Sequence, residues 1–282
     1  MENEFDRRHK QEVRRLNNGS GKLFGGYNEV RHSGRGRSWG NGATYAGSDI
    51  TLGGSGWLTT DYVFRGITQM AENPAVQAEF DFGYKIFYAY AWASNVDFGG
   101  GPNGQDLASI EFDHGVGIKP VLGKFTFDFA ALYYTYPRAF DPGGQFDYLE
   151  LKSGVSTTLA DGKLALSLAN YWSPEAFAET GENDVLEFGV GWTFNKVWYF
   201  TPTLSGVVGH QWGTLSEGGF DYTYWNVGLT LGFNNKPPLS FDIRWWNTAD
   251  FDGFTCPDSG GNSCDSRAAG VISWPHGRDA RR

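Results

Sequence analysis

One feature limits what this chain can fold into more than any other. From residue 57 onward, short segments alternate apolar and polar residues, and the connections between them alternate short and long. Val76, Ala78, Phe80 and Phe82 share one face of their segment, with Gln77, Glu79 and Asp81 on the other. Leu186, Phe188, Val190, Trp192 and Phe194 alternate with Glu187, Gly189, Gly191 and Thr193 in the same way. A period of two is the signature of a strand with two unlike faces. Twelve such segments run over 57–67, 75–83, 87–96, 108–119, 124–136, 147–159, 163–172, 184–194, 198–212, 221–233, 239–248 and 266–274. A tilted strand crosses a bilayer with roughly 9–11 residues, whereas strands of soluble sandwiches are nearer 5–6.

The connections sharpen the reading. Five are short, such as 84–86 and 160–162, and Asp161-Gly162 is a favoured two-residue hairpin turn. Six are long: 68–74, 97–107, 137–146, 173–183, 213–220 and 249–265. Bacterial barrels have an even strand number, short periplasmic turns and longer outer loops. The pattern predicts an all-β, closed antiparallel transmembrane barrel of about 12 strands, because strand backbone in lipid must close its hydrogen bonds on itself. Composition agrees: 40 glycines and 17% aromatic residues suit many turns and two interfacial girdles. Trp57, Tyr133, Tyr134, Tyr136, Tyr171, Trp172, Trp198, Tyr199, Trp212, Tyr222, Tyr224, Trp225, Trp245 and Trp246 collect at segment ends, where a girdle would lie. No stretch of about 18 apolar residues predicts a transmembrane helix.

The charge is split along the chain. Residues 1–54 hold nine Lys/Arg and six Asp/Glu, while residues 55–250 hold ten and 22. The first part, rich in Gly, Asn, Ser and Arg, reads as a disordered extension over 1–54; its first residues are charged and no apolar leader segment follows. The barrel is expected over 55–274, with a polar tail at 275–282. Cys256 and Cys264 lie in a Gly/Asp/Ser-rich segment, where an extracytoplasmic protein would join them as a disulfide. The alternative is a pair of metal ligands, but a zinc site takes about four and only His276 is near.

The segment Leu58-Thr59-Thr60-Asp61-Tyr62-Val63-Phe64-Arg65-Gly66-Ile67-Thr68-Gln69 resembles the opening of the TorF-type porin family, conserved outer-membrane barrels of uncharacterised function. Pro74-Ala75-Val76-Gln77, Trp92-Ala93-Ser94-Asn95-Val96-Asp97-Phe98, Tyr171-Trp172-Ser173-Pro174-Glu175 and Cys264-Asp265-Ser266-Arg267 extend the likeness over roughly 55–273. The resemblance implies an outer-membrane location and a channel role, and supplies no solute.

If alternate residues point inward, the candidate pore lining is Asp61, Arg65, Gln77, Glu79, Asp81, Glu111, Asp113, Lys119, Asp128, Glu150, Lys152, Glu187, Asp242 and Arg244. Nine are acidic and four basic, a balance that favours cations. The structural reading is that Arg65 and Arg244 pair with nearby acids and fill a narrow lumen. On 87–96, Ala alternates with Tyr and Trp, so either face could be the inner one.

The expected function is therefore passive diffusion of small hydrophilic solutes, with ions or small solutes and outer-membrane lipid as partners. The alternative is a non-conducting structural or adhesive barrel. A barrel lipid hydrolase is the third reading; it needs a Ser or Asp in hydrogen-bond reach of His114 or His210 at the membrane rim. No catalytic constellation can be assembled locally, so no enzyme activity is expected. No cofactor, metal site or nucleic-acid interface is expected either: the Gly99–Gly104 loop lacks the Lys-Ser/Thr of a phosphate loop, and the basic run near residue 10 lacks aromatic interleaving. Nothing marks an oligomer interface.

Overall fold

The computed structural model describes residues 43–44, 50–101, 104–141, 144–214, 216, 219–233, 239–252 and 266–275. Twelve long strands form its wall. They are β1 (Ile50–Thr59), β2 (Ala75–Tyr84), β3 (Phe87–Asn95), β4 (Ile110–Ile118), β5 (Phe125–Thr135), β6 (Tyr148–Leu159), β7 (Leu164–Ser173), β8 (Asn183–Thr193), β9 (Phe200–Gly213), β10 (Asp221–Phe233), β11 (Leu239–Asp252) and β12 (Arg267–Pro275). Each pairs antiparallel with its sequence neighbours. The sheet closes where Val271 to Pro275 of β12 pair with Thr59 to Ser55 of β1. Closure joins the two edge strands over these five pairs, and Ala43–Thr44 pair with Leu52–Thr51 beyond them, so the edge backbone is partnered along the seam.

The wall is apolar outside. Val76, Phe80, Val116, Phe129, Phe188, Val208, Ile243 and Ile272 are all exposed at 40–62%. Their inward neighbours Gln77, Glu111, Asp113, Glu150, Glu187 and Arg244 are buried. This polarity is opposite to that of a soluble barrel and matches a surface in contact with hydrocarbon.

The short connections fall at one end and the long ones at the other. The turn read as a two-residue Asp161-Gly162 hairpin is a four-residue one: Leu159 pairs with Leu164, and Ala160, Asp161 and Gly162 all have positive φ.

Two boundaries differ from the sequence reading. The wall begins at Ile50, inside the expected 1–54 extension, because Ile50 to Thr59 pair along the whole of β2. The expected strand 57–67 ends at Thr59, and residues 60–74 leave the wall. The remainder of the expected extension apart from Ala43–Thr44, the 276–282 part of the tail, and the pair Cys256 and Cys264 lie outside the described residues.

Half of the expected aromatic girdle is not a girdle. Tyr133, Trp198, Tyr199, Trp212, Trp225 and Trp245 do face out. Trp57, Tyr134, Tyr136, Tyr222, Tyr224 and Trp246 are buried instead. The sidedness of β3 is settled by its neighbour. Tyr88, Tyr90, Trp92 and Ser94 share the face of Gln77, Glu79 and Asp81 through the β2–β3 register, so the alanines face out. Glycine makes room for these rings. A β-carbon at Gly115 would lie 1.7 Å from the Tyr90 ring, and one at Gly117 would lie 2.7 Å from that of Tyr88.

Candidate functional site: a lumen crossed by an inward hairpin

Residues 60–74, the first long connection, turn into the barrel. Val63–Phe64 and Ile67–Thr68 form a small two-stranded hairpin. Its tip is Arg65-Gly66, with φ of 48° and 85°. Positive φ at both central residues is the tight-hairpin geometry that suits the strand twist, and glycine adopts it without penalty. Gly66 is required for space as well: a β-carbon there would lie 2.5 Å from Thr248 and 3.2 Å from Tyr224.

The base of the hairpin is tied to the closing seam. Asp61 accepts a hydrogen bond from the Thr68 hydroxyl at 2.6 Å, and Arg267 of β12 lies 3.4 Å from both Asp61 and Glu72. Burial raises the Asp61 carboxyl above its ordinary range, and Thr68 and Arg267 only partly offset it. Midway, Val63 packs with Trp246 and Ala269, and Tyr62 meets Trp92 edge-on at 5.5 Å.

The tip reaches the opposite wall. Arg65 donates two parallel bonds to Glu150 of β6, Nη1 to Oε1 at 2.7 Å and Nη2 to Oε2 at 3.1 Å. The Tyr134 hydroxyl donates to the same carboxylate at 2.7 Å. The guanidinium stands 5.1 Å from the Tyr171 ring and 4.7 Å from that of Phe64. Tyr222 and Tyr224 lie within electrostatic reach of it, and the Tyr224 hydroxyl donates to Glu187. Above this layer, Phe98, Tyr136, Phe146 and Phe177 from three long connections stack into an aromatic cap.

Of the expected pore residues, Glu79, Asp81, Glu111, Asp113, Asp128, Glu150, Lys152, Glu187, Asp242 and Arg244 face inward on wall strands. Asp61 and Arg65 also sit inside, but on the hairpin rather than the wall. Charge pairing is extensive. Lys152 and Lys119 lie 2.8 and 3.7 Å from Asp128, which also accepts from the Tyr88 hydroxyl at 2.7 Å. Arg244 contacts Asp242 at 3.1 Å and donates to Asn226 and Ser205. Arg267 was missed by sequence reasoning because it sits at a strand start beside a long connection. The tyrosine layer was missed because its members read as interfacial.

The two histidines behave differently. His114 faces out and stacks on Phe112 at 6.0 Å. His210 also faces out, near the long-loop rim, with Nδ1 2.8 Å from the Thr223 hydroxyl and Nε2 3.1 Å from Asp221. The acid required by the hydrolase reading is thus present. The hydroxyl belongs to a threonine, and the three groups satisfy one another beside the Trp212 ring, as polar groups on an apolar wall must.

The profile of a family described as "Bacterial protein of unknown function (Gcw_chp)" matches residues 43–272. The chain belongs to this family. The match spans the barrel from before β1 into β12, and the hairpin lies inside it. No curated protein matches the sequence. Among solved structures, the KdgM porin in complex with disordered oligogalacturonate has 7% identity and a TM-score of 0.47, over 80% of this chain and 99% of that one. The NanC porin has 8% identity and a TM-score of 0.46, over 80% and 98%. The outer membrane channel DcaP of Acinetobacter baumannii has 9% identity and a TM-score of 0.38, over 83% and 98%. At these values the likeness carries no functional argument.

Proposed function

We propose that this Gcw_chp chain is an outer-membrane channel for small hydrophilic solutes, preferring cations, with its through-path narrowed by the inward hairpin. The observation that carries the reading is the inner surface of a closed, externally apolar barrel. Among the described residues it bears nine of the expected carboxylates against five basic groups once Arg267 joins Arg65, Lys119, Lys152 and Arg244. An inner face with that excess lowers the cost of entry for positive ions. The TorF-type resemblance, with its implied channel role, points the same way. Glu79, Asp81, Glu111, Asp113, Asp128, Glu150, Lys152, Glu187, Asp242 and Arg244 would line the path, and Asp61 and Arg65 would form its constriction.

A second reading is favoured by a different observation. Arg65, Glu150, Tyr224 and Trp246 are at most 5% exposed, so the hairpin fills the lumen at its level. A barrel plugged there permanently would be structural or adhesive.

Planar-bilayer recording under a KCl gradient separates the two. Discrete steps with a cation-selective reversal potential are expected, and that potential should move toward zero when Glu79, Asp81, Glu111 and Asp113 are neutralised together. Absence of steps from both the folded wild type and a barrel with Val63–Thr68 replaced by a short Gly/Ser linker would leave only a structural or adhesive barrel, and absence from the wild type alone would favour the plugged reading.

A further inference from the structure

The layer around Arg65 has the makings of a receptor for a cation, filled by a cation the protein supplies itself. Glu150 takes the guanidinium in a two-point fork, the geometry that distinguishes guanidinium from ammonium. Glu187 acts on Tyr171 and Tyr222, the same two rings that Arg65 and Glu150 act on, and it accepts the Tyr224 hydroxyl, so a second carboxylate belongs to this layer. A second cation of the layer, Lys152, lies on the Tyr171 ring at 5.6 Å and is engaged by Asp128 at 2.8 Å. The Tyr171 ring faces the guanidinium at 5.1 Å, as aromatic faces stabilise cations that have left water, while the Tyr134 and Tyr224 hydroxyls hold the two carboxylates and Tyr222 lies within electrostatic reach. Glu150 is fully buried and Glu187 is 5% exposed.

The tethered cation fits this cage imperfectly. Its Nε finds no hydrogen-bond partner among the described residues. Arg65 itself is held at φ 48°, a region most L residues avoid. An ion pair out of water has already lost the hydration of both groups, and water entering the lumen would restore it, so the fork itself holds the tip by a small net free energy.

We propose that the cage of Glu150, Glu187 and the four tyrosines is a binding site for small solutes carrying an alkylguanidinium group, and that Arg65 is a tethered competitor whose displacement lifts the 60–74 hairpin and opens the lumen. This rests on the channel reading for its consequence, though not for its binding step. A ligand that binds only the undocked state shifts the equilibrium toward it in proportion to its occupancy. Its apparent affinity is lowered by the docked fraction, so removing Arg65 strengthens binding.

The probe is n-propylguanidinium, which has the chemistry of the arginine side chain, compared with tetramethylammonium at equal ionic strength. In bilayers, millimolar n-propylguanidinium should raise wild-type open probability several-fold, and Arg65→Ala should be open without it. In detergent, tyrosine and tryptophan fluorescence of Arg65→Ala should report saturable n-propylguanidinium binding, weakened at least about tenfold by adding Glu150→Gln, as expected for one charge-assisted fork. Heat-modifiable electrophoretic mobility confirms that each variant is folded, and Arg65→Lys serves as a second variant that keeps the charge while losing the fork. Equal binding by Arg65→Ala with and without Glu150→Gln would overturn the site. A conducting hairpin-excised barrel whose parent ignores n-propylguanidinium would overturn the gating step and leave the channel reading intact. An excised barrel that never conducts would end the channel reading, and the fluorescence titration would still decide the site.

Discussion

The two halves of the lumen are built from the same twelve strands but filled differently. Toward the long loops, the hairpin, the tyrosine layer and the aromatic cap leave Tyr62, Val63, Glu150, Tyr224 and Trp246 with essentially no exposure. Toward the short turns, Glu79, Asp81, Lys152, Ser156, Ser167 and Asp242 keep part of their surface. Wall side chains alone fill the interior of about eight strands, and width grows with strand number. Twelve strands therefore leave more space than the wall can occupy. The upper half fills it with an inserted segment, and the lower half, with small residues at Gly154, Ser156, Ala165 and Ser167 on β6 and β7, leaves it partly open. Filling of the upper half thus comes from the inserted hairpin together with the tyrosine layer and the aromatic cap, and not from strand number alone.

That contrast can be broken most sharply at the loop. Replacing Val63–Thr68 with a Gly/Ser linker should give conductance steps larger and longer-lived than any of the wild type, because it removes the segment whose tip reaches Glu150 on the opposite wall. A subtler cut is Gly66→Val. The added side chain meets Thr248 and Tyr224 of the far wall, so the tip must lift while the wall stays intact. Open probability should rise several-fold with little change in the barrel's melting. If current is unchanged although the variant folds, the hairpin tip does not govern the path.

Gly115→Ala tests the opposite quantity. Its β-carbon enters the Tyr90 ring, an overpacking expected to cost about 1–3 kcal/mol of wall stability. The barrel should convert to its unfolded electrophoretic form at lower temperature, and Tyr90→Ala in the same chain should recover part of the loss. Open probability should stay at the wild-type value, because Tyr90 belongs to the wall.

The same contrast explains which parts of the molecule were legible in the sequence. The wall was legible because period-two alternation and loop length are local properties: β2, β4, β8 and β11 carry their outer and inner faces in consecutive residues. The hairpin was not, because Tyr62 to Thr68 is itself extended and alternating, and only the small Arg65-Gly66 pair marks its reversal. The start of β1 was hidden by Gly53 and Gly54, which look like linker but lie in the wall opposite Asp81 and Phe80. Sidedness on β3 was undecidable locally, since it depends on Gly115 and Gly117 of the next strand offering space for Tyr90 and Tyr88. The cage around Arg65 joins residues up to 159 positions apart along the chain, from the hairpin to Tyr224, a proximity that only the closed topology creates.

The smallest expected effect concerns pH at the base of the hairpin. Burial holds the Asp61 carboxyl above its ordinary range despite the Thr68 hydroxyl and Arg267. A docked state with the higher pKa binds more protons than the undocked one between the ordinary and the raised values. Docking therefore gains stability as pH falls through the raised range, holds it in full below the ordinary carboxylate value, and loses it as pH rises again. The wild-type channel should close further on acidification from neutral pH, by a modest factor because Asp61 retains its contact with Arg267. Asp61→Asn should flatten that response and, by removing the buried charge, lower open probability at neutral pH toward the wild-type acidic value. An unaltered acid response in Asp61→Asn would place the sensitivity elsewhere in the lumen, and it would separate the pH dependence of the channel from the docking of its hairpin.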